Sequence, residues 1–257
     1  MTLDAAAFLG RVTLNRVQIL GRSGVFLFLA VYHAFVPPFR VHRLIREMEF
    51  IGSKSFLIVF VTSLFTGMVL ALQGYHTLTQ FGAQALLGSA VALSIIRELG
   101  PVLCALMVTG RAGSAMAAQI GIMKITDQFP ALEMMAIDPV KYVISPKILA
   151  AILSLPLLTA FFDVVGIMGG YLVGVPLLGV NEGAYFGKMI AAVTFGDIYG
   201  GVIKSLIFGL LIAWISCFIG FSAEPTTEGV SRATTRAVVV TSVSILVVDY
   251  ILTSVLL

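Results

Sequence analysis

Arg97 and Glu98 interrupt a sequence that otherwise belongs in lipid. From Ser55 to Ile96 the chain has no Asp, Glu, Lys or Arg, a run about twice the ~20 residues that cross a bilayer. The pair lies about a dozen residues into a second expected span that starts near Ala85, roughly 18–20 Å along it. Charged groups at that depth must face protein or water. They are either an ion pair that pins helices together or a polar spot in a substrate cavity, and spacing leaves both readings open. Lys204, about six residues into a later apolar stretch, either snorkels to the surface or reaches the pair. Asp163 and Asp249 are also intramembrane, and each is expected to hydrogen-bond to a neighbouring helix. Read together, Glu98, Asp163 and Asp249 are also the set a proton-coupled secondary transporter would use as a relay.

Other chemistries find no residues to carry them. Cys104 and Cys217 sit in apolar helices, and two such thiols make no disulfide framework and no metal site. His33, His42 and His76 have no metal-ligand spacing. The phosphate-binding pattern G-x-x-x-x-G-K-[ST] is absent, so any nucleotide hydrolysis is expected on another chain, and no cofactor is expected in this one. With a net charge of only +3, no nucleic-acid partner is expected either.

A second constellation runs from Lys124 to Pro139, KITDQFPALEMMAIDP. Ile125, Phe129, Leu132 and Ala136 recur at offsets of four, three and four, one face of a helix. Asp127 is placed to be its N-cap. Pro130 then falls at the third helical position, where no intrahelical partner is lost. Asp138-Pro139 is expected to end this helix and begin the next. Such a helix either lies on lipid or docks in a partner's groove. Its few basic residues argue against pure membrane adhesion.

The elements that must position these groups follow from composition. Of 257 residues 59% are hydrophobic and 11% charged, against ~25% charge in a soluble domain, and the mean hydropathy is +1.04. The chain is therefore expected to be an all-α membrane protein; a barrel would alternate apolar and polar residues. Residues 1–54, with Pro37-Pro38 and Arg40, Arg43, Arg46 and Lys54, are expected to form helices in the membrane interface. The apolar run Val25–Val36 is too short to span, and no small-x-small site follows it to mark a signal peptide. Residues 55–257 are expected to form five spans: 55–79, 85–121, 145–175, 198–221 and 237–257. Pro101 should kink the second, and Ser145-Pro146 is a start signal for the third. The connections 176–197 and 222–236 are expected to be loops. Seven Lys and Arg precede span 1, three lie from the end of span 2 through Lys147, and Arg232 and Arg236 lie between 4 and 5; the other two connections carry none and one. The N-terminus is thus expected in the cytoplasm and the C-terminus outside. Ala105, Thr109, Gly113, Ala117 and Gly121 form a small-residue stripe, and Gly166, Gly170 and Gly174 another, as close helix packing in lipid requires.

The run RELGPVLCALMVTGRAGSAMAAQIGIMKITDQFPALEMMAIDP, with ISPKILAAILSLPLLT, GGYLVG, IKSLIFG and GVSRATTRAVV, resembles the MlaE family over nearly the whole chain. These are permease subunits of lipid-transporting ABC systems associated with MCE proteins. The resemblance implies two copies of this chain, two cytoplasmic ABC ATPase subunits that bind ATP and Mg, a STAS-domain protein, and a periplasmic MCE-domain hexamer. It implies glycerophospholipid moving between the inner and outer membranes, and a bacterial inner-membrane location, since no long transit extension is present. It makes the 124–138 helix, with Asp127, Gln128, Phe129, Leu132, Glu133, Met134, Met135 and Asp138, the coupling helix on the ATPase. It makes Arg97 and Glu98 a polar pair beside a lipid cavity. Leu70, Gly74, Thr77, Leu78 and Phe81, on one face at the outer end of span 1, suit acyl chains there, or ordinary packing. The rival secondary transporter would be supported by inverted repeats, which the sequence lacks. A non-transporting scaffold, like that rival, would need no coupling helix.

Overall fold

The computed structural model describes residues 2–35 and 41–256, with side chains described at Leu14, from 17 to 33 and from 41 to 256. Pro37-Pro38 lies outside the described residues. All regular structure among them is helical. Helix α1 (Thr2–Phe35) is followed by the amphipathic α2 (Val41–Ile51) and then α3 (Phe56–Gln80), whose start agrees with the expected span 1. Gly82, at φ +65°, turns the chain into the second span. That span is α4 (Leu87–Ser94), α5 (Gly100–Val108) and α6 (Ser114–Ile125), joined by wide turns at Ile95–Leu99 and Thr109–Gly113. The short α7 (Gln128–Met134) leads to α8 (Ser145–Gly174), then α9 (Glu182–Ala192), α10 (Phe195–Phe221) and α11 (Thr227–Leu256). Five helical segments are long and apolar enough to cross a membrane, the last four being 84–125, 140–174, 195–221 and 227–256.

Several boundaries differ from the sequence reading. The third span is longer than expected: α8 starts at Ser145-Pro146, but a wide turn over Val140–Ile144 carries the span back to Val140. Asp138 caps it, its Oδ1 accepting from the Val140 N–H at 2.8 Å, while Ser145 is buried and donates to the Ala30 carbonyl at 2.9 Å. The expected loop 176–197 contains α9, started by Asn181, whose side chain accepts from the Ala184 N–H. Tyr185 anchors that helix: it is fully buried and donates to the Ile167 carbonyl at 3.1 Å. Burial pushes its hydroxyl up to about 12, so it remains a neutral donor. The expected loop 222–236 shrinks to a turn, because α11 starts ten residues early. Thr226 accepts from the Gly229 N–H, and Val230 and Ala233 are buried. Polar helical turns outside the apolar zone carry no hydropathy signal, so their helicity was invisible.

Both small-residue stripes are buried at helix crossings. A Cβ on Gly121 would come within 2.8 Å of Val230, and one on Gly220 within 2.7 Å of the Ala117 carbonyl. The tightest crossing is α3 on α8, where a Cβ on Gly67 would lie 1.8 Å from the Gly166 carbonyl oxygen. Both partners there are backbone, so neither can swing aside. Gly67→Ala must force the helices apart, an overpacking cost of about 1–3 kcal/mol. The expected result is a lowered melting temperature in detergent; unchanged melting would show that the crossing is loose.

Candidate functional site

Pro101 has no N–H to give the Arg97 carbonyl, its normal helical partner. The helix opens into a wide turn over Ile95–Leu99, and the freed carbonyl accepts a bond from the Lys204 ammonium at 3.0 Å. The same ammonium donates to Glu98 Oε2 at 2.9 Å and Thr253 Oγ1 at 2.7 Å, and lies 3.2 Å from Asp249 Oδ1. Lys204 is only 3% exposed. Of its two sequence readings, the structure therefore shows reach rather than snorkelling.

Arg97 does not pair with its neighbour Glu98. Its Nε donates to Asp197 Oδ1 at 2.6 Å. Asp197 belongs to the first turn of α10, where its Oδ2 accepts from both the Thr194 N–H and the Thr194 hydroxyl at 2.8 Å. A cavity of about 320 Å³ opens here, lined by Arg97, Glu98, Thr194, Asp197, Lys204 and Thr253 with Gly196, Gly200, Gly201 and Leu256. It holds two cations and three carboxylates, counting Asp249 behind Lys204. Three helical segments build it: the wide turn of span 2, the start of α10 with Thr194 as its N-cap, and the end of α11. The sequence reading missed Thr194, Asp197 and Thr253 as site residues. The T-x-x-D box that starts α10 was the available signal for the first two.

The other expected groups fall elsewhere. Asp249 forms its interhelical link, to Lys204. Asp163 lies against Gly100, where a Cβ would meet its Oδ1, and that buried oxygen has no hydrogen-bond partner among the described residues. Leu70 and Leu78 pack against the core, Gly74 faces Leu87, Thr77 bonds to the Gln73 carbonyl, and Phe81 is exposed. None of these five lines the cavity around Arg97 and Glu98 within one chain.

The segment after span 2 is arranged differently from its helical-wheel reading. Asp127 precedes α7 but has a left-handed backbone, φ 51°, and its side chain makes no cap bond. Gln128 donates instead to the Thr126 hydroxyl. Pro130 is the third helical residue, as expected. Phe129 is buried, 5.3 Å ring to ring from Phe221, and Leu132 is half-buried in the wall of a cavity of about 360 Å³ with Arg43, Arg46, Tyr142 and Pro146. This face therefore holds α7 to its own bundle. Glu133, Met134, Met135 and Ala136 are exposed, Met134 by 84% and Met135 by 70%. Ala136, at φ 57°, closes the helix, with the Ile137 N–H reaching the Leu132 carbonyl at 2.9 Å. Asp138, besides capping the next span, lies 3.2 Å from His33 of α1.

A third polar cluster ties α2 to the spans. Lys147, 1% exposed, donates to both Glu47 oxygens at 2.8–2.9 Å and to Gln119 at 2.8 Å. Arg111 stacks 4.7 Å over the Phe50 ring and bonds to the Phe50 carbonyl. These buried bonds make α2 part of the bundle.

Five apolar helical spans around a buried charged centre define a multi-pass helical membrane protein. The family description "Permease MlaE" matches residues 44–255. The chain is 44% identical to the intermembrane phospholipid transport system permease protein MlaE of Haemophilus influenzae, over 100% of this chain and 98% of that one. It is 40% identical to a probable ABC transporter permease protein of Rickettsia typhi, over 100% and 99%. It is 34% identical to the chloroplastic protein TRIGALACTOSYLDIACYLGLYCEROL 1 of Arabidopsis thaliana, over 82% of this chain and 60% of that one. The chain belongs to the MlaE permease family.

Proposed function

We propose that this chain is the membrane permease subunit of an ATP-driven transporter that moves glycerophospholipids between the inner and outer membranes of a bacterium. The observation that carries it is the cavity around Arg97, Glu98 and Lys204: charged groups for a headgroup, set in a bundle whose outer surface is apolar. Full-length similarity to an intermembrane phospholipid transport permease supports the same reading. In this reading ATP and Mg are bound by a separate ABC ATPase, which seats on the exposed tip of α7. A second copy of this chain would bring the Leu70, Gly74, Thr77, Leu78 and Phe81 face and the Arg97–Glu98 cavity into one lipid path. A STAS-domain protein and a periplasmic MCE-domain hexamer complete the assembly. The chain sits in the inner membrane with its N-terminus cytoplasmic and its C-terminus periplasmic, and parts of residues 1–54 lie in the interface. The proton-relay alternative fits less well, because Glu98 and Asp249 are both held by one ammonium rather than free to exchange protons.

A photocrosslinker in place of Leu78 should capture phospholipid in cells, and one in place of the remote Thr227 should not. In vesicles, the chain with its ATPase should move labelled phospholipid on addition of ATP without a proton gradient. Equal capture at both positions would remove the lipid path. Movement driven by a proton gradient and indifferent to ATP would favour the relay.

A further inference from the structure

We infer that motion of α7 is delivered to the turn between α10 and α11, through Lys124 and Phe129, and from there to the charged cavity; this rests on the transporter reading above. The sequence suggests delivery to spans 2 and 3, the two that α7 connects. The contacts add a different route. Lys124, in the last turn of α6, sends its ammonium across to another helix end. It donates to the Phe221 carbonyl at 3.1 Å and the Ala223 carbonyl at 2.8 Å. These carbonyls close α10, where a cation is favoured by the helix dipole. Phe129 of α7 meets the ring of the same Phe221, and Phe26 of α1 lies on it at 5.8 Å. Beyond the turn, Val230 of α11 packs onto Gly121 of α6. The stem formed by α6 and α7 thus grips both helices on either side of residues 222–226.

The far ends of those helices carry the cavity. Asp197 and Lys204 lie near the start of α10, Asp249 and Thr253 near the end of α11. At 1.5 Å per residue the two helices are about 40 and 45 Å long. They are rigid elements of the kind that carry coupling between distant sites. Each has one end in the grip of α6 and α7 and the other at the Glu98 ion pairs. Lys124 is a positioning residue in this scheme and touches neither nucleotide nor lipid.

The test uses the assembled complex with its ATPase in vesicles and reads labelled phospholipid moved per ATP hydrolysed. In the Lys124→Met complex the ATPase should copurify and hydrolyse ATP as in wild type. Lipid moved per ATP should fall roughly tenfold. Lys124→Arg should restore most of it, since a guanidinium also donates to two carbonyls. An unchanged ratio in an intact Lys124→Met complex would overturn the inference. If that variant does not accumulate, Phe129→Leu and Phe221→Leu, singly and together, give the same ratio as a cycle. A non-additive loss is expected, and additive effects would overturn the route. A wild-type complex that moves no lipid with ATP would instead remove the transporter reading itself, before any variant is compared.

Discussion

Lys204→Met is expected to leave only a small fraction of the normal protein in the membrane. The ammonium is buried and holds the Arg97 carbonyl, Glu98 and Thr253, with Asp249 at 3.2 Å. Methionine fills most of the volume and removes the charge. Two carboxylates would then face each other and an unpartnered carbonyl, with Asp249 only 18% exposed and Glu98 40% exposed. Removing one partner of a buried ion pair costs about 3–5 kcal/mol. A whole domain is stable by only about 5–15 kcal/mol. Membrane abundance and the melting temperature in detergent should both drop sharply. Adding Asp249→Asn should recover part of the loss, because it neutralises one of the stranded carboxylates. Normal abundance and melting of Lys204→Met would mean that the cluster does not hold α10 and α11 to the second span.

If the ATPase of the proposed transporter seats on the tip of α7, Met135→Asp is expected to leave the protein folded and inserted but without that ATPase. Met134 and Met135 project from the tip of α7 and touch little of their own chain. A carboxylate forced into a partner's dry groove at this point would cost several kcal/mol. That is more than a hundredfold in affinity. The complex should fail to copurify while the permease keeps its abundance and melting temperature. Leu132→Asp should behave in the opposite way and lower the melting temperature first, since Leu132 packs against its own chain. Full ATPase recovery with Met135→Asp would place the docking surface elsewhere.

The contrast between Leu132 and Met135 shows where sequence reasoning stops. Periodicity finds an apolar face but not what covers it: Phe129 is buried against Phe221 of its own bundle, while Leu132 packs on the core and also lines an open cavity. The spans were legible because a bilayer imposes length and apolarity on each of them. Their polar extensions were not, as the early start of α11 shows: Glu228 and Arg232 pair across one turn, and nothing in hydropathy marks that. Lys204 could be linked to Arg97 and Glu98 by depth alone. Asp197 could not, because its place depends on where α10 starts relative to a helix a hundred residues earlier. Pro101 was readable as a break. That the carbonyl it frees becomes a ligand for Lys204 is a tertiary fact.

Asp197 divides its two oxygens, and this sets the two cations of the cavity apart. Oδ2 is fully engaged by Thr194, so the N-cap of α10 survives whatever Arg97 does. Oδ1 meets Arg97 alone, and the Arg97 side chain is 45% exposed. A guanidinium trades a carboxylate for a phosphate with little change in bond geometry. In the proposed transporter, Arg97 would leave Asp197 for a headgroup phosphate without unravelling a helix end. Lys204 has no such freedom, because every move it makes strands a carbonyl and a carboxylate together. The cavity thus combines an exposed cation held by one carboxylate oxygen with a buried cation held by four groups on two other helical segments.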